Sequence, residues 1–276
     1  MVCYPRLALL SVGILAHVAS FSQRPMAAVV DGQASPRLAA ARSNVPLLNP
    51  AAATPAATGE DLPQILRIAV LRGVQLERAR EVSRAIYNGG FRMLSVTADT
   101  PQFSSILRRI VAQDFADLTV GASSVCSEAE VDVAYACGAR FISSTHCDIA
   151  VVKRTKEGGM ISIPGVSTIA QARGAVRAGG DILKAFPAKD VSTSNFREIV
   201  GSAPPSIPVI ISGGVEVDQL ESYYEVGASG FAVGRTLYEP DMSMADIEAK
   251  ARLFVEGGNR LRLGGNRHAN DRPSDR

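Results

Sequence analysis

The 276-residue sequence predicts an α/β protein and, within that class, a (β/α)8 TIM barrel. Three observations carry the prediction. Eight short apolar runs recur roughly every 20 to 28 residues. Helical patterns fill the intervals between them. No G-x-G-x-x-G fingerprint opens the turn after the first run, where a doubly wound open sheet would carry one. Alternating strand and helix implies parallel pairing, and eight right-handed crossover units of similar length close into a ring.

The runs, in order, are Ile65 to Leu71, Arg92 to Thr97, Leu118 to Gly121, Phe141 to Ser144, Met160 to Pro164, Ile182 to Phe186, Pro208 to Ser212 and Gly230 to Gly234. Their lengths suit strands buried on both faces. Between them lie helical stretches such as Leu76 to Asn88, Ser127 to Cys137, Thr168 to Ala178 and Val217 to Val226. Most start near a polar capping residue and end in glycine, as in Asn88-Gly89-Gly90, Cys137-Gly138 and Ala178-Gly179-Gly180.

A hydrophobic content of 46% is ample for the core of such a domain. The 29 basic and 27 acidic residues nearly cancel, which leaves no long-range field to attract nucleic acid or a membrane surface. Four cysteines, Cys3, Cys126, Cys137 and Cys147, form no C-x-x-C pair and read as reduced thiols of a non-secreted compartment, with Cys3 in a segment that is removed.

The termini read differently from the barrel, which is expected over residues 61–256. In residues 1–20, Arg6 precedes an apolar run from Leu7 to Ala16 that is too short to span a bilayer and ends in Ala19 and Ser20, the pattern of a signal peptide. Residues 21–60 are rich in Ala, Ser, Pro and Arg with few acids, the composition of a transit peptide. A signal followed by a transit segment, with Phe21 at the junction, resembles the two-part targeting sequences of algae with secondarily acquired plastids. A plastid location is therefore expected, the alternative being the secretory pathway with a disordered Ala/Pro linker. Residues 257–276, rich in Gly, Arg and Asn without apolar periodicity, read as a disordered tail.

In a barrel of this kind, chemistry sits where the strands end and their loops converge. The strand ends offer Arg72 and Gly73, Thr97 and Asp99, Ser123 and Ser124, Thr145 and His146, Pro164 and Gly165, Lys184 and Phe186, Gly213 and Gly214, and Gly234 and Arg235. Lys184 stands out. Of five lysines it alone lies inside an apolar run, Asp181-Ile182-Leu183-Lys184-Ala185-Phe186-Pro187. Burial removes hydration from an ammonium and lowers its pKa toward about 7 or 8, so neutral amine is present near pH 7. Neutral amine condenses with a ketone, and the resulting iminium is an electron sink for cleaving a neighbouring C–C bond. The plainer reading of a buried lysine is a stem packed in the barrel with its head on a carboxylate. Ser212-Gly213-Gly214-Val215 and Gly234-Arg235 close the last two runs, where glycine lets backbone N–H groups approach a phosphate. Simple tight turns are the plainer reading of these.

Taken together, Leu183-Lys184-Ala185-Phe186-Pro187-Ala188, Ile163-Pro164-Gly165-Val166-Ser167-Thr168, Val70-Leu71-Arg72-Gly73-Val74, Gly121-Ala122-Ser123-Ser124-Val125 and Ser212-Gly213-Gly214-Val215 resemble the signature segments of the 2-keto-3-deoxy-6-phosphogluconate and 2-keto-3-deoxy-6-phosphogalactonate aldolases. They occur in the same order, and Leu-Arg-Gly after the first run is more similar to the galactonate branch. The resemblance implies a class I aldolase that cleaves a phosphorylated 2-keto-3-deoxy sugar acid to pyruvate and glyceraldehyde 3-phosphate. It also implies a homotrimer with no metal or organic cofactor.

Residue by residue, the resemblance implies that Lys184 forms the Schiff base, Arg72 holds the keto acid's carboxylate and Ser124 binds substrate. Pro164 and Phe186 wall the pocket, and Gly213, Gly214, Gly234 and Arg235 hold phosphate. Two positions depart: the family's usual proline after the fourth strand is absent, with Thr145 and His146 in that loop, and the second lies on the second strand. The family's general acid/base glutamate on the second strand is Ser95 here, whose hydroxyl cannot serve as a base near pH 7. Asp99, on the same face as Ser95 and Thr97, and His146, at the fourth strand's end, are the candidates to replace it. The departure leaves open an altered substrate such as 4-hydroxy-2-oxoglutarate, or a non-catalytic barrel that binds a phosphorylated sugar acid.

Overall fold

The computed structural model describes residues 65–113 and 115–265. The expected signal peptide at 1–20, the transit-like segment at 21–60 and residues 266–276 lie outside the described residues.

The strands are β1 (Leu66–Leu71), β2 (Met93–Thr97), β3 (Thr119–Ser123), β4 (Phe141–Ser143), β5 (Ile161–Ile163), β6 (Gly165–Val166), β7 (Leu183–Ala185), β8 (Val209–Ser212) and β9 (Gly230–Val233). They pair in the order β5-β4-β3-β2-β1-β9-β8-β7-β6, every pair parallel. Nine strands stand where eight runs are predicted because Pro164 divides the fifth run. A proline has no N–H to give a ladder. Before it, Ser143 pairs with Ile163; after it, Gly165 pairs with Lys184. The two ends of the strand order are thus halves of one stave. Backbone bonds from Ile182 to Ser162 (3.2 Å) and from Lys184 to Pro164 (3.0 Å) carry the ring across the break.

Helices α1 (Ala79–Asn88), α2 (Phe103–Val111), α3 (Glu128–Ala136), α4 (Ile149–Glu157), α5 (Ile169–Arg177), α6 (Thr193–Ser202), α7 (Leu220–Glu225) and α8 (Met244–Gly265) fill the crossovers. Their ends follow local chemistry. Ser127, Asp148, Thr168 and Ser192 accept from backbone N–H groups of the first turns of α3, α4, α5 and α6.

Strand residues alternate between two cores. Ala69, Leu71, Leu94 and Val96 face the helices, whereas Ile68, Met93, Phe141, Ile163, Ile182 and Ile210 fill the barrel. One step of two toward each C-terminal end, the inward positions of β2, β4, β7 and β8 become Ser95, Ser143, Lys184 and Ser212. An apolar floor therefore gives way to a polar layer beneath the loops.

The expected tail at 257–276 is corrected over its first part, because α8 continues to Gly265. Gly257 and Gly258 do not stop the helix; they let it approach the barrel. A Cβ on Gly257 would lie 3.0 Å from Val217, and one on Gly258 would lie 3.0 Å from Arg67 Nε and 3.4 Å from Phe231. Asn259 accepts a hydrogen bond from the Arg67 guanidinium on the same face.

Candidate active site

Lys184, on β7, is 5% exposed and projects into the barrel above Ile182. Its Nζ donates to Ser143 Oγ at 2.7 Å and lies 5.4 Å from the centre of the Phe186 ring. Burial alone pushes the amine's pKa from its usual 10.5 down to about 7, with no charged neighbour contributing. About half of it is neutral at pH 7. The arrangement excludes the plainer reading of a lysine locked on a carboxylate.

Ser95 is fully buried on β2, and its hydroxyl hydrogen-bonds Ser123 Oγ at 3.0 Å. Ser95, Ser123 and Ser143, from three neighbouring strands, thus form a layer of buried hydroxyls on the side of the barrel next to Lys184. Thr97 and Thr100 share a hydrogen bond of 2.8 Å, and Thr100 Oγ1 accepts from Gly73 N at 3.1 Å. That bond ties the loop after β1 to the loop after β2.

At the rim, Arg72 ion-pairs with Asp99 and donates to Ser124 Oγ at 3.1 Å. Both charged side chains are more than half exposed. Ser124 has a positive φ of 55°, which turns the chain sharply at the end of β3. The structure thus brings Arg72, Asp99 and Ser124 together as one cluster. Asp99 is bound to Arg72 rather than to the amine. His146 lies on an exposed loop and meets the site through its backbone, its carbonyl accepting from Ser144 Oγ at 2.7 Å.

Phe186 joins the amine to the glycine loops. Gly213 has φ +99°, and a Cβ there would fall 2.9 Å from the Phe186 ring and 2.9 Å from Pro187 Cα. Gly214, at φ +85°, faces open space. β8 pairs with β9 through Ser212 and Ala232, so the Gly213-Gly214 and Gly234-Arg235 turns are neighbours. Thr236 Oγ1 donates to Val215 O at 3.1 Å and clamps them together. Gly234 is half-buried and Arg235 exposed. Pro164 is buried at the stave break, its carbonyl accepting from Lys184 N. Among the described residues, no three His, Cys, Asp or Glu side chains gather as metal ligands would, and no helix is long and apolar enough to cross a membrane.

A buried amine among serine hydroxyls, with two adjacent glycine turns at the ends of β8 and β9, suits covalent chemistry on a phosphorylated carbonyl compound. The family model of KDPG and KHG aldolase matches residues 61–253. The chain belongs to this aldolase family. A relative from Rhizobium meliloti (strain 1021), named probable 2-dehydro-3-deoxy-6-phosphogalactonate aldolase, is 30% identical over 67% of this chain and 87% of its own. The 2-dehydro-3-deoxy-6-phosphogalactonate aldolase of Escherichia coli (strain K12) is 27% identical over 68% and 92%. A solved structure described as native KDPGal superposes with a TM-score of 0.71 at 25% identity, covering 73% of this chain and 98% of that one. The 2-keto-3-deoxy-6-phosphogluconate aldolase of Zymomonas mobilis ZM4, at 22% identity and TM-score 0.61, shares the barrel fold over 69% of this chain and 91% of that one.

Within this family barrel, Ser143 is the residue that reading the sequence missed. Its signal was available: a hydroxyl two residues after Phe141 falls on the same inward face as an apolar core residue.

Proposed function

We propose that the protein is a class I aldolase cleaving a 2-keto-3-deoxy-6-phospho sugar acid to pyruvate and glyceraldehyde 3-phosphate. The observation that carries this is the Lys184 amine, buried in the barrel, uncharged to about half at pH 7 and bound only to a serine among the described residues. Its lone pair attacks C2 of the keto acid, and the carbonyl oxygen takes up protons and leaves as water. In the iminium, loss of the C4 hydroxyl proton breaks the C3–C4 bond and sends its electrons to nitrogen. The aldehyde leaves, the enamine takes a proton at C3, and water releases pyruvate.

Arg72 receives the carboxylate, and the glycine turns at Gly213-Gly214 and Gly234-Arg235 receive the phosphate. The glycine turns follow the neighbouring strands β8 and β9, which stand in the ring between β7, the strand of Lys184, and β1, which leads to Arg72. The substrate carboxylate competes with Asp99 for Arg72, so binding frees the Asp99 side chain at the mouth, where it takes the C4 proton. No metal or organic cofactor has a step in this reaction.

The test is pyruvate release from 2-keto-3-deoxy-6-phosphogalactonate and its gluconate epimer, read through lactate dehydrogenase and NADH. Turnover with one of them, lost about 1,000-fold or more in Lys184→Ala, is the expected result. Ligand-induced thermal stabilisation without turnover would point instead to a binding barrel, the reading that Ser95 favours. A plastid location, supported by the two-part composition of residues 1–60, is checked by a fluorescent fusion of that segment. A homotrimer, supported by the family resemblance, is checked by sedimentation equilibrium.

A further inference from the structure

Lys184 carries its nitrogen on four rotatable bonds, and a nucleophile on such a stem reacts slowly unless its direction is fixed. In the barrel interior one side chain can fix it. Ser143 is 4% exposed on β4, and its Oγ is the acceptor 2.7 Å from Nζ. The serine is itself held by the sheet. It pairs with Ile163 on β5, and its carbonyl accepts from Val125 N at 3.3 Å. An acceptor mounted on a strand keeps its place better than one on a loop.

Among the described residues, nothing charged competes for the amine. Ser95 turns its hydroxyl to Ser123, and Arg72 and Asp99 pair with each other at the exposed rim. The neighbouring inward positions on β2, β3 and β8 are Thr97, Ser123 and Ser212, all uncharged.

We propose that Ser143 is the positioning residue for Lys184, taking one N–H of the free amine and the single N–H of the iminium. The inference deepens the aldolase reading and rests on it. A neutral amine has two N–H bonds and one lone pair. With one N–H held by Ser143, rotation about the last bond of the stem stops, and the second N–H and the lone pair are confined to the two remaining directions on nitrogen. On attack the nitrogen forms the C–N bond as the C=O π bond breaks, its second proton passes to the carbinolamine oxygen, a further proton from solvent lets that oxygen leave as water, and the N–H on Ser143 is retained in the iminium. The hydroxyl transfers no proton; it sets which face of the carbonyl is attacked and holds the iminium plane.

Two measurements on the full chain test this, with Ser143→Ala and Ser143→Thr as variants. The first is the pH dependence of Lys184 acetylation by acetic anhydride, read by peptide mass spectrometry without substrate. Loss of an acceptor that favours the charged form lowers the midpoint by about one pH unit in Ser143→Ala. The second is the rate of borohydride-trapped pyruvate adduct on Lys184 at saturating pyruvate, expected to fall about tenfold in Ser143→Ala. Ser143→Thr, which keeps the hydroxyl, restores both. An unmoved midpoint with unchanged trapping, in an Ala variant that unfolds like the wild type, overturns the role of Ser143 and leaves the imine reading intact. Silence of the wild type itself in the trapping assay overturns both, and is recognised by the wild type being silent.

Discussion

Replacing the buried amine with an apolar side chain should stabilise this protein. Lys184 carries a pKa of about 7 in the folded chain against 10.5 when solvated, and burial is the cause. A shift of that size corresponds to about 5 kcal/mol of folding free energy withheld below pH 7, and about 4 kcal/mol at pH 7. The sign follows from proton counts. Between pH 7 and 10.5 the unfolded chain holds more protons on this group than the folded chain, so stability rises with pH through that window. Lys184→Met keeps the stem's length and removes the charge. It also takes the donor from Ser143, costing about 1 kcal/mol. The variant is therefore expected to be about 3 kcal/mol more stable than wild type at pH 7. The advantage should shrink by about 1 kcal/mol per pH unit on average and vanish near pH 10. Urea unfolding of both proteins at each pH from 6 to 10 measures the difference, in which other titrating groups cancel. A difference that is flat with pH, or a variant less stable at pH 7, would refute the claim that the amine is dehydrated.

The same depressed pKa predicts that the rate of imine formation rises with pH and reaches half its plateau at about pH 7, as stopped-flow or quench measurements would show; a midpoint near 10 contradicts it. Asp99→Asn should lower KM for the keto acid several-fold, since Arg72 no longer has an internal carboxylate to release, and lower kcat by about 100-fold or more as the C4 base is lost. A raised KM would show that Asp99 merely props Arg72 in place. Gly213→Ala, with a positive φ and Phe186 in contact, should cost about 2 to 4 kcal/mol in urea unfolding, whereas Gly214→Ala, with positive φ but open space, should cost about 1 to 2. Equal costs would mean that the turn yields freely to Phe186.

Where periodicity alone decides a feature, sequence and structure agree closely. The apolar runs become strands within a residue or two at each end, and Ser127 and Thr168 cap helices as their position before a helical pattern implies. Disagreement arises where a contact between distant residues decides. Gly257-Gly258 has the composition of a helix stop, yet Val217, Arg67 and Phe231 make it a point of close approach. Asp99 is correctly placed beyond Thr97, but its partner Arg72 lies 27 residues earlier in the chain, and no local pattern reveals that pairing. Pro164 reads as the end of a run, although the chain resumes pairing one residue later with a different neighbour. The Ser143 contact was hidden for the same reason, being made past the β5–β6 stave to β7, 41 residues on.

The central claim is that the nitrogen of Lys184 forms a covalent imine with a 2-keto acid. Incubation with pyruvate and sodium borohydride, followed by peptide mass spectrometry, tests it most directly. Reduction should leave a carboxyethyl group on Lys184 and on no other lysine, absent when pyruvate is withheld. An unmodified Lys184 under the same conditions, or equal labelling of the exposed lysines, would contradict it.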